Sequence, residues 1–386
     1  MIRYALLITV LAVSTIACAG ERLVLQQALQ RLSGEEAFLR EKYTPEIIHQ
    51  LDNTSYTKKT YKNLLKRRYE SINEARKIIT ERLRHLPPES ERDSVEQKVV
   101  YLDPGHGGSD PGAAIIDPAK KDNDTTAYLI TENTVNLAIA RLVKRNLENC
   151  GIMVILSRDS EQTTLSLDTR SALCRAINPD ISVSIHLNSS ELAFPIFDQP
   201  DTALPELNYT RVYVWGPSER DLLYPMYWYI HERLQNSHAY EESVKLADMI
   251  SRALKAELDL DFLLSSELEQ KLASVKQLRT SLWKEKHPSA SVAPSEEELK
   301  IPVEIIQRNR DASRQYEESI APFKGISGKD LHMARETLEV PAVLVEAVFL
   351  SCPDEQNRLL YEDRTECIAD GITRGILNYF ENNSQQ

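Results

Sequence analysis

The sequence predicts an α/β protein, a mainly parallel twisted sheet with helices on both faces, preceded by a small helical N-terminal region. Three observations predict it. The run Val99-Val100-Tyr101-Leu102-Asp103 stops at Pro104-Gly105, as a buried strand does when Pro and Gly end it. Further apolar β-rich runs, Ile152 to Leu156, Ile181 to Ile185 and Val343 to Val345, alternate with stretches whose apolar residues recur at helical spacing. Upstream of all of these, Leu65, Tyr69, Ile72, Ile79, Leu83 and Leu86 follow a 3-and-4 spacing that Arg76 interrupts.

At 386 residues with a hydrophobic share of 42%, the chain can bury a sizeable core. The net charge of -12 argues against nucleic acid and against a basic membrane-binding face. Met1 to Tyr4 is a basic start, and Ala5 to Ile16 is an apolar stretch of signal-peptide length, too short to span a bilayer. Export to the cell envelope follows, with residues 1–19 as the signal and no transmembrane helix in the mature chain. Ala17-Cys18-Ala19 fits ordinary cleavage, and Cys18 leaves lipid anchoring as the alternative. Cys150, Cys174, Cys352 and Cys367 form no Cys-x-x-Cys pair, so free thiols are expected, although an exported chain could pair some of them.

Residues 20–90 read as helices, with Leu25, Leu29 and Leu32 on one face and the Leu65 to Leu86 stripe packing within a small bundle. Pro87-Pro88-Glu89-Ser90-Glu91-Arg92-Asp93 breaks them, and a catalytic domain over 98–381 follows. Ile115 to Tyr128 is a polar loop. Thr131 caps a helix whose first turn holds Glu132 and whose buried face carries Val135, Ile139, Leu142 and Val143. After the strand at Ile152, a helix with Arg170, Leu173, Cys174 and Ile177 leads to Ile181-Ser182-Val183-Ser184-Ile185-His186. Thr210 to Trp215 is another strand and Tyr240 to Leu254 a helix. A helical insertion over about 218–310 includes an amphipathic helix from Leu258 to Lys286 and a charged one around Glu296 to Tyr316. Ile368, Ile372, Ile376 and Phe380 line a terminal helix.

The chemistry gathers at strand ends. His106 sits among glycines just past the first strand, at the carboxyl edge where open α/β sheets build their sites. Glu132 opens a helix and His186 closes a strand. Two imidazoles and a carboxylate are the nitrogen and oxygen donors of a zinc hydrolase, which keeps a fourth position for water. Each residue alone has a structural reading: a loop histidine, a first-turn glutamate favoured by the helix dipole, a core histidine. Glu346 follows Val343-Leu344-Val345 in a strand where a carboxylate needs a reason to be.

Asp103-Pro104-Gly105-His106-Gly107-Gly108, Thr131-Glu132-Asn133, Ser184-Ile185-His186-Leu187-Asn188 and Pro341 to Ser351, in that order, resemble the zinc-dependent N-acetylmuramoyl-L-alanine amidases of type 3. The resemblance covers Lys98 to Phe380. It implies one Zn2+ per chain on His106, Glu132 and His186, with Glu346 as the catalytic acid/base. It implies peptidoglycan as substrate, cut between N-acetylmuramic acid and the L-alanine of the stem peptide, in the periplasm, for wall remodelling or daughter-cell separation. Asn188 and Ser189 are candidate substrate contacts, or simply a turn. Asp103 is a candidate to orient His106 from behind, or to stabilise its turn.

The chain departs from the family pattern where Val348 replaces a glycine and Cys352 an asparagine. Valine does not enter positive-φ space cheaply, so the loop after Glu346 is expected to differ if the glycine serves that purpose. The insertion resembles an autoinhibitory helix that a protein activator or division partner would displace. Two other readings remain open: a degenerate amidase domain that binds the wall or a division partner, and a zinc peptidase acting within the stem peptide.

Overall fold

The computed structural model describes residues 2–42, 55–86, 97–116, 128–189, 196, 199–204, 207–215, 238–260, 265–311, 314, 326–329, 331–337 and 339–383. The Pro87 to Asp93 break, residues 117–127 of the polar loop and the start of the insertion at 218–237 lie outside them. Strands β1 (Val99–Pro104), β4 (Met153–Leu156), β5 (Ile181–Asn188), β6 (Arg211–Trp215), β7 (Ile326–Lys329) and β8 (Ala342–Phe349) form one sheet in the order β4-β1-β5-β8-β6-β7. The first four run parallel; β6 is antiparallel to β8 and parallel to β7. Strands β2 (Ala114–Ile116) and β3 (Tyr128–Thr131) pair as an antiparallel hairpin, so the ends of the predicted polar loop are strands.

Side chains on a strand alternate between faces, and both faces are apolar here. Val100, Leu102, Val154, Leu156, Val183 and Ile185 join helices α3 (Glu132–Asn149), α5 (Ala239–Leu258) and α9 (Arg364–Asn383) in one core. Tyr101, Met153 and Ile155 face the other way, onto α4 (Leu167–Ile177). Helix α4 starts where Ser166 Oγ accepts from Thr169 N at 3.1 Å and stops at Asn178, whose φ of 53° only a few residue types adopt readily. Thr131 occupies the N-cap of α3 but makes no side-chain cap; its hydroxyl donates to Asn133 Oδ1 instead.

Helices α1 (Ile2–Lys42) and α2 (Ser55–His85) complete that second face. Leu25, Leu32, Ile72 and Ile79 are fully buried in the same cluster as Tyr101, Met153 and the apolar side of α4. The predicted stripe on α2 therefore packs against helices α1 and α4, and α1 carries this helical layer onto β4 of the sheet. Arg31 Nη1 donates to the Ala176 and Ile177 carbonyls at the end of α4, 2.9 and 3.0 Å away, and Arg175 of α4 reaches Glu35 at 3.0 Å. Arg76, the residue that breaks the stripe, pairs with Glu36 at 2.7 Å.

In the insertion, α5 ends at a left-handed Asp259, and the helix expected from Leu258 begins at Ser265 as α6 (Ser265–Lys286). The charged segment turns through 296–300, with Lys300 at a φ of 51°, before a helix over 303–311. Leu268 and Leu272 pack with Leu204, Leu207, Tyr209, Ile306 and Phe349. The fully buried Arg279 donates to the carbonyls of Thr202, Leu299 and Lys300 at 2.8 to 3.1 Å. Short helices α7 (His332–Glu336) and α8 (Pro353–Tyr361) flank β8, the latter with Pro at its first position. No helix among the described residues is long and apolar enough to cross a membrane, and Cys150, Cys174, Cys352 and Cys367 are free thiols.

Because Leu32 and Ile72 share one core with the sheet, Leu32→Ala and Ile72→Ala should each cost about 2–5 kcal/mol, the range for emptying a buried leucine or isoleucine site. Urea denaturation followed by tyrosine fluorescence and by helical circular dichroism checks this. Losses under 1 kcal/mol, or separate transitions for helices and sheet, would mean that the helices are merely adjacent.

Candidate metal centre

Three elements deliver three donors to the carboxyl edge of the sheet. Pro104 of β1 pairs with Ile185 of β5, and Gly105 N continues the ladder to Ile185 O at 2.9 Å, so the loop beyond β1 passes directly over His186. A Cβ on Gly105 would stand 2.2 Å from the His186 ring, which is why the chain needs glycine there. His106 follows in the left-handed region at φ 61°. The chain returns through Gly112 at φ 66°, where a Cβ would meet Glu132 Oε2 at 2.5 Å, and then enters the β2–β3 hairpin and α3.

Strain at a non-glycine left-handed residue persists only where the surroundings hold it. Two buried arginines do so. Arg158 donates to Pro104 O at 3.0 Å and to Gly105 O and Asn133 O at 2.8 Å. Arg170 donates to Pro104 O at 2.8 Å and to the His106 carbonyl. Asp103 anchors the second arginine: its Oδ1 accepts from Arg170 at 2.7 Å and from Ser157 at 2.6 Å, and its Oδ2 from Ser184 at 3.0 Å. Burial pushes the Asp103 carboxyl up, but Arg170 and Ser157 outweigh it and leave it below the usual carboxylate range. Asp103 thus serves the turn and does not touch the His106 ring.

The ring's partner is Asp110, whose Oδ2 lies 2.8 Å from Nδ1. Nε2 of His106 then faces Glu132 Oε1 at 3.2 Å, and His186 Nδ1 approaches the same oxygen at 3.0 Å. Glu132 also accepts from the backbone of Ala113 at 2.8 Å and of Leu187 at 3.1 Å, and from Asn136 at 3.3 Å. Burial pushes its carboxyl up, but the two histidines hold it well below the ordinary value. The hydrogen bond with Glu132 raises His106 to about 9 against the opposing effect of burial. Donor atoms of His106, Glu132 and His186 all lie within 4.8 Å of one another. Two imidazoles in edge-to-face array and one anionic carboxylate, with glycines clearing the space around them, fit a divalent metal of borderline softness.

Glu346 on β8 is the register neighbour of His186 on β5 and of Arg211 on β6, and it is half-buried. Val348 lies buried in the strand with no positive φ, and the register slips between His186 and Asn188, a bulge in β8. Cys352 occupies the N-cap of α8 and makes no side-chain cap. Asn188 is half-buried at the end of β5, and its Oδ1 accepts from Ser189 N at 2.9 Å; Ser189 is exposed at the rim. Among the described residues, none of the hydrogen bonds to His106, Glu132 or His186 comes from the insertion.

The sequence reading missed Asp110, Arg158 and the role of Arg170. The spacing His106-Gly107-Gly108-Ser109-Asp110, a carboxylate one tight turn from a ligand, was the available signal for the first. The arginines had none, since their targets are backbone carbonyls distant in sequence.

Residues 100–281 match the family model described as N-acetylmuramoyl-L-alanine amidase, a span that contains His106, Glu132 and His186 and ends before Glu346. N-acetylmuramoyl-L-alanine amidase AmiA of Escherichia coli (strain K12) is 27% identical over 296 residues, 77% of this chain and 80% of AmiA. The sporulation-specific N-acetylmuramoyl-L-alanine amidase of Bacillus subtilis (strain 168) is 34% identical over 113 residues, 28% of this chain, and the chain spans 39% of that relative's length. Among solved structures, the catalytic domain of CwlV from Bacillus (Paenibacillus) polymyxa var. colistinus aligns with a TM-score of 0.42 at 22% identity, over 74% of this chain and 99% of that one. The matched span and the long alignment to AmiA run through the strands that carry the three donors, and over them the chain is similar to the N-acetylmuramoyl-L-alanine amidases.

Proposed function

We propose that this chain is an exported zinc-dependent N-acetylmuramoyl-L-alanine amidase. It hydrolyses the amide between the lactyl group of N-acetylmuramic acid and the L-alanine of the peptidoglycan stem peptide, for wall remodelling or daughter-cell separation. The observation that carries this reading is the convergence of His106, Glu132 and His186 within 4.8 Å, with Glu346 in register beside His186. The similarity to N-acetylmuramoyl-L-alanine amidases supports it.

His106, Glu132 and His186 would hold one zinc ion, which polarises the scissile carbonyl and activates water at neutral pH. Asp110 fixes the His106 tautomer by accepting from Nδ1, which leaves Nε2 for the site. The amides of Ala113 and Leu187 hold the Glu132 carboxylate in place and ionised. Glu346 takes the proton of the attacking water at a carboxylate oxygen and delivers it to the leaving amine of L-alanine. Its place on a strand beside His186 keeps that oxygen at a set distance from the reacting carbon.

We read residues 1–19 as the export signal, with Cys18 as the alternative lipid anchor, and the chain from about 98 to 381 as the catalytic unit behind its helical cover. The insertion is a surface for a protein activator. Deletion of Leu258 to Pro288 that raised wall hydrolysis in a folded protein would support gating by that segment. Unchanged activity in the folded deletion would leave the insertion as scaffold.

Digestion of purified peptidoglycan, with zinc content determined and soluble products identified by mass, tests the main reading. The chain should release free stem peptides beginning with L-alanine. Glu346→Ala should retain one zinc and lose about 100-fold or more in rate, as removal of a general acid/base does. Zinc without any product would favour a binding module, and peptides cut internally a zinc peptidase. His186→Ala should lose the metal, and Asp110→Ala should weaken zinc binding about 10- to 100-fold, the usual effect of removing a ligand's supporting carboxylate. Since Glu132 holds a proton on His106 up to about pH 9, and zinc needs the neutral ring, apparent zinc affinity should rise with pH until about 9. Affinity flat from pH 6 to 9 by competition with a chelator would contradict that assignment.

A further inference from the structure

Past Glu346, side chains take over from the backbone in joining β6 to β8. The register of the two strands pairs Tyr213 with Leu344, Val212 with Val345 and Arg211 with Glu346. Carried further, it sets Thr210 opposite Ala347 and Asn208 opposite Phe349. Thr210 Oγ1 donates to Ala347 O at 2.8 Å, and Phe349 N donates to Asn208 Oδ1 at 3.1 Å. We propose that Asn208 and Thr210 are positioning residues for Glu346, fixing the strand end from which its carboxylate projects. The inference rests on the amidase reading, with Glu346 as acid/base, and adds two residues that act through it.

The opposite edge of β8 shows why such a hold is needed there. Its register with β5 slips between His186 and Asn188, after which Leu350 N donates to Asn188 O at 2.8 Å. A bulge disrupts the ladder locally, bends the strand and re-aims the side chains beside it. The residues that follow Glu346 therefore lie along an irregular edge on the β5 side, and the bonds from Thr210 and Asn208 hold them on the β6 side. Between those two bonds the Tyr209 ring packs on Phe349 with centroids 4.8 Å apart, and both residues are 2% exposed.

Asn208 is itself held from behind. Its Nδ2 donates to Glu355 Oε1 at 3.0 Å, so both ends of the amide are used and its orientation is defined. Glu355, 1% exposed, forms a bidentate pair with Arg364 at 2.6 and 2.7 Å, and Arg364 Nη1 donates at 2.9 Å to the carbonyl of Leu258, the last residue of α5. A buried ion pair offsets its desolvation only when its remaining oxygens and N–H groups are bonded too, and Asn208 and Leu258 supply such partners. No step of the reaction above uses this network. It ties Asn208, and through it Phe349 of β8, to α5, α8 and α9. A carboxylate that moves a proton must stand within hydrogen-bond reach of it, and a misplacement of about 1 Å costs on the order of 100-fold in rate.

Two measurements on the full chain test this. By residue-resolved amide hydrogen exchange, the Phe349 amide should exchange about 5- to 10-fold faster in Asn208→Ala, the worth of one neutral hydrogen bond, with β5 unchanged. On a soluble N-acetylmuramoyl peptide, Asn208→Ala and Thr210→Val should each lower kcat about tenfold, keep KM within about twofold and retain one zinc, and Thr210→Ser, which keeps the hydroxyl, should restore the rate. In a Glu346→Ala background neither substitution should lower the remaining rate further, because the group through which they act is gone. Unchanged exchange at Phe349, a wild-type kcat in both variants, or an equal fall with and without Glu346 overturns the proposal. A Glu346→Ala chain as active as the wild type would overturn the Glu346 assignment and the proposal with it. Faster exchange at Phe349 in a protein whose wild type releases no product would sink the amidase reading and leave the hold on the strand end standing.

Discussion

The site depends on one clamp: two buried guanidinium groups that direct their donors at the backbone carbonyls of Pro104, Gly105 and His106. An arginine stays protonated when buried and offers five donors in a rigid fork, so it can hold a loop that has no regular partner. Arg170 needs Asp103 to balance its charge, and Asp103 in turn takes hydroxyls from Ser157, just past β4, and from Ser184 on β5. The His106 loop is thereby tied to β4, β5 and α4 together. That is how a histidine at a positive φ keeps a set position over the sheet.

The same logic explains why the three donors of the candidate metal centre are so rigid. Glu132 accepts two backbone amides, from Ala113 just before β2 and from Leu187 in β5. Its carboxylate is therefore part of the architecture, and the two imidazoles close around it rather than the reverse. The backbone of the adjacent Asn133 is held in the same frame by Pro111 and Arg158.

Much of this was legible in the chain. Strict alternation on β5, with Ile181, Val183, Ile185 and Leu187 against Ser182, Ser184 and His186, assigns one set to the core and the other to the face that carries the chemistry. Helix boundaries were readable where local chemistry sets them, as with Ser166 and Asn178 around α4. They were misjudged at the left-handed Asp259 that ends α5 and at the late start of the helix at 303. The N-terminal stripe announced a helical partner but not which helices, because an amphipathic face carries the same pattern against any apolar neighbour.

What the sequence by itself determined is the set of local, short-range decisions: strands from apolar β-branched runs, the glycine turn that frees His106, the alternation that places His186 and Glu346 on one face, and the family order of the motifs. These depend on neighbours within a few residues and are written in them. Only the tertiary structure decided that Asp110 rather than Asp103 supports His106, that Arg158 and Arg170 hold the loop, and that Val348 lies buried in a bulged β8. It alone decided that α1, α2 and α4 share one apolar cluster with Tyr101, Met153 and Ile155 of the sheet. Asp110 lies only four residues from His106, but the other outcomes are contacts across tens to hundreds of residues, where burial and the need to satisfy every buried donor and acceptor select one partner among many that the local sequence allows.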